Sequence, residues 1–144
     1  MNVELDHVGI AISGLDEALG FYREVLGLHL EDSEEVASQK VRAHFLPAGG
    51  PKLELLEATD PESAIGKFVA KRGPGLHHIA FRVADIHAAL AELKARGVRL
   101  IDEVPRPGAE GALVAFLHPA SARGVLVELK QPRAGAPQAQ LAQR

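Results

Sequence analysis

A chain of 144 residues with 47% apolar side chains has the size and composition of one domain, or of two small fused halves, and can bury an ordinary core. It contains no cysteine, which excludes disulfides and thiolate metal sites and leaves nitrogen and oxygen as metal donors. Lys and Arg number 16 against 19 Asp and Glu, a net charge of −3, and the scattered basic residues exclude the striped surface expected of a nucleic-acid partner.

In chain order, alternation in "VELDHVGIAI" predicts a strand from about Val3 to Ile12. "SGLDEALGFYREVLGL" follows, with Leu15, Ala18, Leu19, Tyr22 and Leu26 at helical spacing and Gly27 as the stop. The start "MNVELDHVGIAI" has acids where a secretory leader has a basic segment, and no run reaches the ~20 apolar residues of a membrane span. A cytoplasmic protein with no membrane partner is the expectation. Three strand-like runs come next, near Leu28 to Asp32, Val41 to Leu46 and Lys52 to Glu57, the last two joined by the turn "PAGGP". "PESAIGKFVAKRG" (61–73) reads as a connecting helix. The order then recurs as strand "HHIAFRV", helix "DIHAALAELKARG", short strand "VRLIDE", loop "VPRPGAEG", and strands "ALVAFLHP" and "GVLVELKQ". The closing stretch, 132–144, has no periodicity and reads as a flexible tail.

The recurrence is arithmetical. A shift of 71 lays Asp6-His7-Val8-Gly9-Ile10 on His77-His78-Ile79-Ala80-Phe81, and Phe45-Leu46 on Phe116-Leu117. A shift of 74 lays Glu54-Leu55 on Glu128-Leu129, which adds three residues to the loop before the last strand. The fold class expected is α+β, a duplicated βαβββ unit within one domain spanning 1–131: module one about 3–58, the connecting helix about 61–73, module two about 76–131.

Strand parity selects candidate site residues. Val8, Ile10 and Ile12 form one apolar row, so His7 lies on the other face with Gly9 and Ala11. Ile79, Phe81 and Val83 form the matching row, and His78 leaves it with Ala80, whereas His77 stays on the apolar side with a packing or hydrogen-bonding role. The same test separates Glu54 from Leu53 and Leu55, and Glu128 from Val127 and Leu129. Two imidazoles and two carboxylates at symmetric positions make an N2O2 set for a divalent ion such as Co, Mn, Ni, Zn or Fe. His29, His44, His87 and His118 have no symmetric histidine, and local bonding or solvation accounts for most of them; His118, ending a strand at a loop, is the best of these for function.

On "DHVGIAI", "KLELLEATDPESAIGKF", "GLHHIAFRVADI", "RLIDEVPRPGAEG" and "FLHPASARGVLVEL", over residues 4 to 131, the chain resembles the vicinal oxygen chelate superfamily and, within it, the methylmalonyl-CoA epimerase family. The resemblance implies paired βαβββ modules forming a cup around a divalent metal, with ligands at His7, Glu54, His78 and Glu128. It implies an isomerase acting on methylmalonyl-CoA through an enolate in propionate metabolism, active as a homodimer, with Glu128 as a proton base. CoA phosphates need cations, for which Lys67, Lys71, Arg72, Arg106 and Arg123 are available. Ala43 stands where some family members have a glutamate proposed as a base, and the loop "HPAS" has Ala120 where lysine is frequent. The alternatives are a glyoxalase I-like lactoylglutathione lyase, against which "HPASARG" speaks, and a non-catalytic binding protein of the same fold; an extradiol dioxygenase would be crowded by the fourth ligand.

Overall fold

The structure, a computed structural model, describes residues 1–136; residues 137–144, part of the stretch read as a flexible tail, lie outside the described residues. The chain divides into two compact units, one formed by His7–His77 and the other by Met1–Asp6 with the residues from His78 onward.

The elements running through the first unit are β1 (Glu4–Ile12), α1 (Leu15–Tyr22), β2 (Asp32–Val36), β3 (Val41–Pro47), β4 (Lys52–Ala58) and α2 (Ala64–Arg72). β4 is parallel to β1 and antiparallel to β3, which is antiparallel to β2. α1 buries Leu19 against Ile12, Leu46 and Leu55, so one face of these strands is core. Directly paired residues share a face. The ladder Gly9–Glu54–Phe45 and its neighbour Ala11–Leu56–Ala43–Glu34 therefore occupy the face turned from α1.

Two expectations shift here. The helix ends at Tyr22 rather than running to Gly27, because Glu24 and Leu26 N–H groups bond five residues back, to the Leu19 and Phe21 carbonyls, in widened turns that close at Gly27 (φ 82°). Leu26, counted into the apolar stripe, is consequently exposed. The strand expected at Leu28 to Asp32 lies at Asp32–Val36. Leu28 and Leu30 are apolar because they pack on the core cluster, whereas the pairing segment "DSEEV" is polar, as an outer strand can be when water wets it. In α2, Ser63 accepts the Gly66 N–H (3.0 Å), and a Cβ on Gly66 would stand 2.6 Å from the Pro61 carbonyl oxygen.

The second unit repeats the order with β5 (Gly75–Arg82), α3 (Ile86–Ala95), β6 (Arg106–Pro107), β7 (Leu113–Leu117) and β8 (Val127–Gln131). β8 runs parallel to β5 and antiparallel to β7, and β6 is antiparallel to β7. Asp85 caps α3 by accepting the Ala88 N–H at 3.0 Å, and Ile86, Leu90, Leu117 and Leu129 share the core beneath it. "VRLIDE" forms no strand: Leu100 makes a single bridge to Leu117, and the Asp102 carboxylate then accepts the Phe116 N–H at 2.9 Å. A side chain thus takes a donor that a strand would have used, and pairing resumes at Arg106. With β1-α1-β2-β3-β4 matched by β5-α3-β6-β7-β8, the α+β fold contains the duplicated βαβββ pattern.

Candidate metal centre

Each repeat builds the same small constellation. In the first unit Glu54 pairs with Gly9 across the β1–β4 ladder, and His7, two residues before Gly9, projects from the same face. His7 Nδ1 lies 3.0 Å from Glu54 Oε2, and the two residues are 2% and 5% exposed. In the second unit Glu128 pairs with Ala80, His78 precedes it by two, and His78 Nε2 lies 3.0 Å from Glu128 Oε1. Their exposures are 4% and 6%. Burying polar groups this fully costs free energy unless partners meet them. Here an imidazole and a carboxylate meet at bonding distance in each unit, and each pair offers one nitrogen and one oxygen lone pair. That donor set fits a borderline divalent cation.

Aromatic rings back both glutamates. Phe45 is the ladder partner of Glu54 and carries the Lys52 amine 5.5 Å from its ring centroid. Phe116, one repeat later, is the partner of Glu128 and carries the Arg106 guanidinium at 5.9 Å. Phe116 also stands edge-on to His78, centroids 5.6 Å apart, a contact that holds the imidazole's orientation. Gly9 and Ala11 in the first unit and Ala80 in the second, on the same faces as the ligand candidates, are small and buried.

The remaining histidines do other work. His77 packs edge-on against Phe68 of α2 at 5.0 Å. His44 is the ladder partner of Leu55, which places it on the core side, away from Glu54; its Nδ1 meets Ser33 Oγ at 2.6 Å and its Nε2 meets Glu57 Oε1 at 3.2 Å. His118 Nδ1 accepts the Ala120 N–H (3.0 Å) at the start of the short turn Pro119–Ala122, and His29 and His87 are exposed. Lys67, Lys71, Arg72 and Arg123 are exposed, whereas Arg106 is half-buried over Phe116 with its Nε 3.3 Å from Asp102.

Sequence reasoning missed Lys130. It lies two residues past Glu128, so it shares that face, and is 7% exposed. Its Nζ is 3.1 Å from Asp6 Oδ2 and 3.0 Å from Glu110 Oε1, and Glu110 holds a left-handed backbone (φ 61°). The alternation of "VELK", which lifts Lys130 off the apolar row together with Glu128, was the available signal.

Comparison with known proteins gives concordant matches. The model of the Glyoxalase/Bleomycin resistance protein/Dioxygenase superfamily matches residues 6–116. The chain is similar to the mitochondrial methylmalonyl-CoA epimerase of Homo sapiens, 38% identical over 128 residues, covering 88% of this chain and 73% of that protein. It is also similar to the ethylmalonyl-CoA/methylmalonyl-CoA epimerase of Cereibacter sphaeroides, 38% identical over 129 residues, 88% of this chain and 96% of that one. A solved structure of a methylmalonyl-CoA epimerase in complex with methylmalonyl-CoA and NH4+ superposes with a TM-score of 0.85 at 40% identity, covering 93% of this chain and 97% of that one. With a repeat structure, a symmetric pair of buried His–Glu contacts and these relatives in agreement, the chain belongs to the glyoxalase/bleomycin resistance protein/dioxygenase superfamily and, within it, to the methylmalonyl-CoA epimerase family.

Proposed function

We propose that the protein interconverts the 2R and 2S epimers of methylmalonyl-CoA through an enolate, with one divalent ion held by His7, Glu54, His78 and Glu128. The observation that carries this reading is the pair of buried His–Glu contacts, 3.0 Å each, repeated in a chain 38% identical to a methylmalonyl-CoA epimerase. The proton to be moved sits on C2 between a thioester carbonyl and a carboxylate, and its removal leaves an enolate. A divalent ion held by these four residues would supply Lewis acidity for the negative charge that develops.

The chain's own groups handle the proton and the acyl group. Glu128 is the base on one side of C2, its carboxylate kept from water by burial and aimed by the His78 contact. The small side chains of Gly9, Ala11 and Ala80 leave room for the branched acyl group, and ethylmalonyl thioesters are included in the proposed range. Lys67, Lys71, Arg72, Arg106 and Arg123 are the cations offered to the CoA phosphates. A homodimer, a cytoplasmic location and a place in propionate metabolism complete the proposal; Met1, Val3 and Leu5 are exposed apolar side chains at the start of β1 for a second copy to cover.

The test is exchange. Metal-replete protein in D2O incorporates deuterium at C2 of methylmalonyl-CoA and interconverts its epimers, and EDTA abolishes both. A protein that shows no exchange yet isomerises a glutathione hemithioacetal belongs instead to lactoylglutathione lyase chemistry.

A further inference from the structure

Epimerisation needs two proton-transfer groups, one on each side of C2, because the proton leaves from one face and returns to the other. Glu128 fills one place, and the sequence leaves Ala43 where a second carboxylate would be expected. The structure removes the histidine substitutes: His44 lies on the core face of β3 with both ring nitrogens engaged, and His118 spends Nδ1 on a turn.

We propose that Glu34 is the second proton-transfer group, reaching from β2 across the space that Ala43 leaves; this assignment rests on the epimerase reading above. Glu34 is the direct ladder partner of Ala43, and Ala43 is the partner of Leu56, two residues from Glu54 on β4. The three therefore rise from the face that carries Glu54 and His7. Cross-strand partners stand about 5 Å apart at Cβ, so a glutamate leaning over a methyl group delivers its carboxylate above β3, where a carboxylate on residue 43 would itself project. Burial agrees. Glu34 is half-buried although Asp32, Ser33 and Glu35 beside it on the same strand are exposed. The face offers one other carboxylate on β2, Asp32, which is exposed and accepts its neighbour Ser33's N–H through Oδ1.

The second repeat supplies an internal precedent for the reach. Arg106 on β6 is the ladder partner of Val114, which the shift of 71 equates with Ala43. From that outer strand its guanidinium arrives 5.9 Å from the ring of Phe116, the partner of Glu128. A side chain launched from this position thus extends toward the row of the glutamate ligand candidate. Glutamate is shorter than arginine, and Ala43 clears more of the path than Val114 does.

Chemically, the Glu34 carboxylate takes the C2 proton, the C–H electron pair enters the enolate, and protonated Glu128 returns a proton to the opposite face; the reverse reaction exchanges the roles. Glu34→Gln keeps shape and removes the base. The variant should keep wild-type metal content and melting temperature, lose epimerisation by about 10²–10⁴-fold, and still exchange the C2 proton of one epimer in D2O with retention of configuration. Ala43→Leu, which fills the path and leaves the carboxylate, should show the same split, and Ala43→Glu placed in the Glu34→Gln protein should restore epimerisation. Epimerisation by Glu34→Gln within threefold of wild type overturns the assignment alone, as does loss of exchange from both epimers with metal and fold intact. Absence of exchange in the wild-type protein overturns the epimerase reading and this assignment with it.

Discussion

Replacing Lys130 by methionine keeps most of the buried alkyl stem and removes one charge from a cluster that also includes Asp6, Glu110 and Arg82, whose Nε lies 3.9 Å from Asp6 Oδ1. At an effective dielectric of 20, each contact near 3 Å has a gross attraction of ~5 kcal/mol, most of which desolvation offsets. What a variant reveals is the cost of stranding the partner, ~3–5 kcal/mol for a buried pair. The Asp6 side chain is 13% exposed and keeps Arg82 Nε at 3.9 Å, which puts its loss at the lower end of that range, whereas Glu110, at 37%, is screened by water and contributes at most ~1 kcal/mol. Lys130→Met should therefore cost about 3–4 kcal/mol, Asp6→Asn about 2–3 and Glu110→Gln under ~1, while Lys130→Met with Asp6→Asn recovers at least ~1 kcal/mol relative to Lys130→Met. With a urea m-value of ~2 kcal/mol/M, Lys130→Met lowers the unfolding midpoint by roughly 1.5–2 M. The measurement belongs on metal-free protein, since a bound ion would add its own stabilisation. If Glu110→Gln proves as damaging as Asp6→Asn, or the double variant is no more stable than Lys130→Met, burial does not set the energetics of this cluster.

Gly66→Ala places a methyl 2.6 Å from a backbone oxygen, a clash that outweighs the ~0.5–1 kcal/mol alanine normally adds to a helix; calorimetry should show a lower Tm, and a rise would refute the close approach. Glu128→Gln keeps an oxygen donor and removes the proposed base, so epimerisation and exchange of the epimer whose C2 proton Glu128 takes should fall about 10²–10⁴-fold with metal retained while the other epimer still exchanges, and unchanged rates would leave Glu128 a ligand only. The Lys94 amine, 2.7 Å from Glu103, hydrogen-bonds its carboxylate and holds its pKa below the ordinary 4.5, so NMR titration of Lys94→Gln should show Glu103 rising to that value. Because the folded pKa is lowered, the contribution of this pair is present above the ordinary pKa and lost as pH falls through the lowered one.

Alternation in the sequence made the two His–Glu pairs legible because the strands are half-buried: a polar residue among apolar neighbours at period two must face away from them. It failed where burial and pairing part company. Leu28 and Leu30 pack half-buried against the core without being a strand, and the charged "DSEEV" is a strand with most of its residues exposed. "VRLIDE" has strand composition, yet the Asp102 carboxylate takes over the Phe116 N–H and interrupts the pairing, which no local pattern announces. The repeat arithmetic matched Ala43 with Val114 and gave no place to Glu34, whose position follows from ladder register between two strands and so from tertiary structure alone.

The ion pair between Asp6 and Lys130 joins residues 124 positions apart. The unit from His7 to His77, by contrast, is one uninterrupted stretch. At ~10 residues per second of synthesis, Asp6 waits on the order of ten seconds for its partner, long after the contiguous unit has all its contacts to hand. Folding order is thereby written into the topology: a chain truncated near residue 80 should protect its His7–His77 amides while Met1–Asp6 exchanges freely, and completion of the last strand should protect Met1–Asp6 and Val127–Gln131 in one late step.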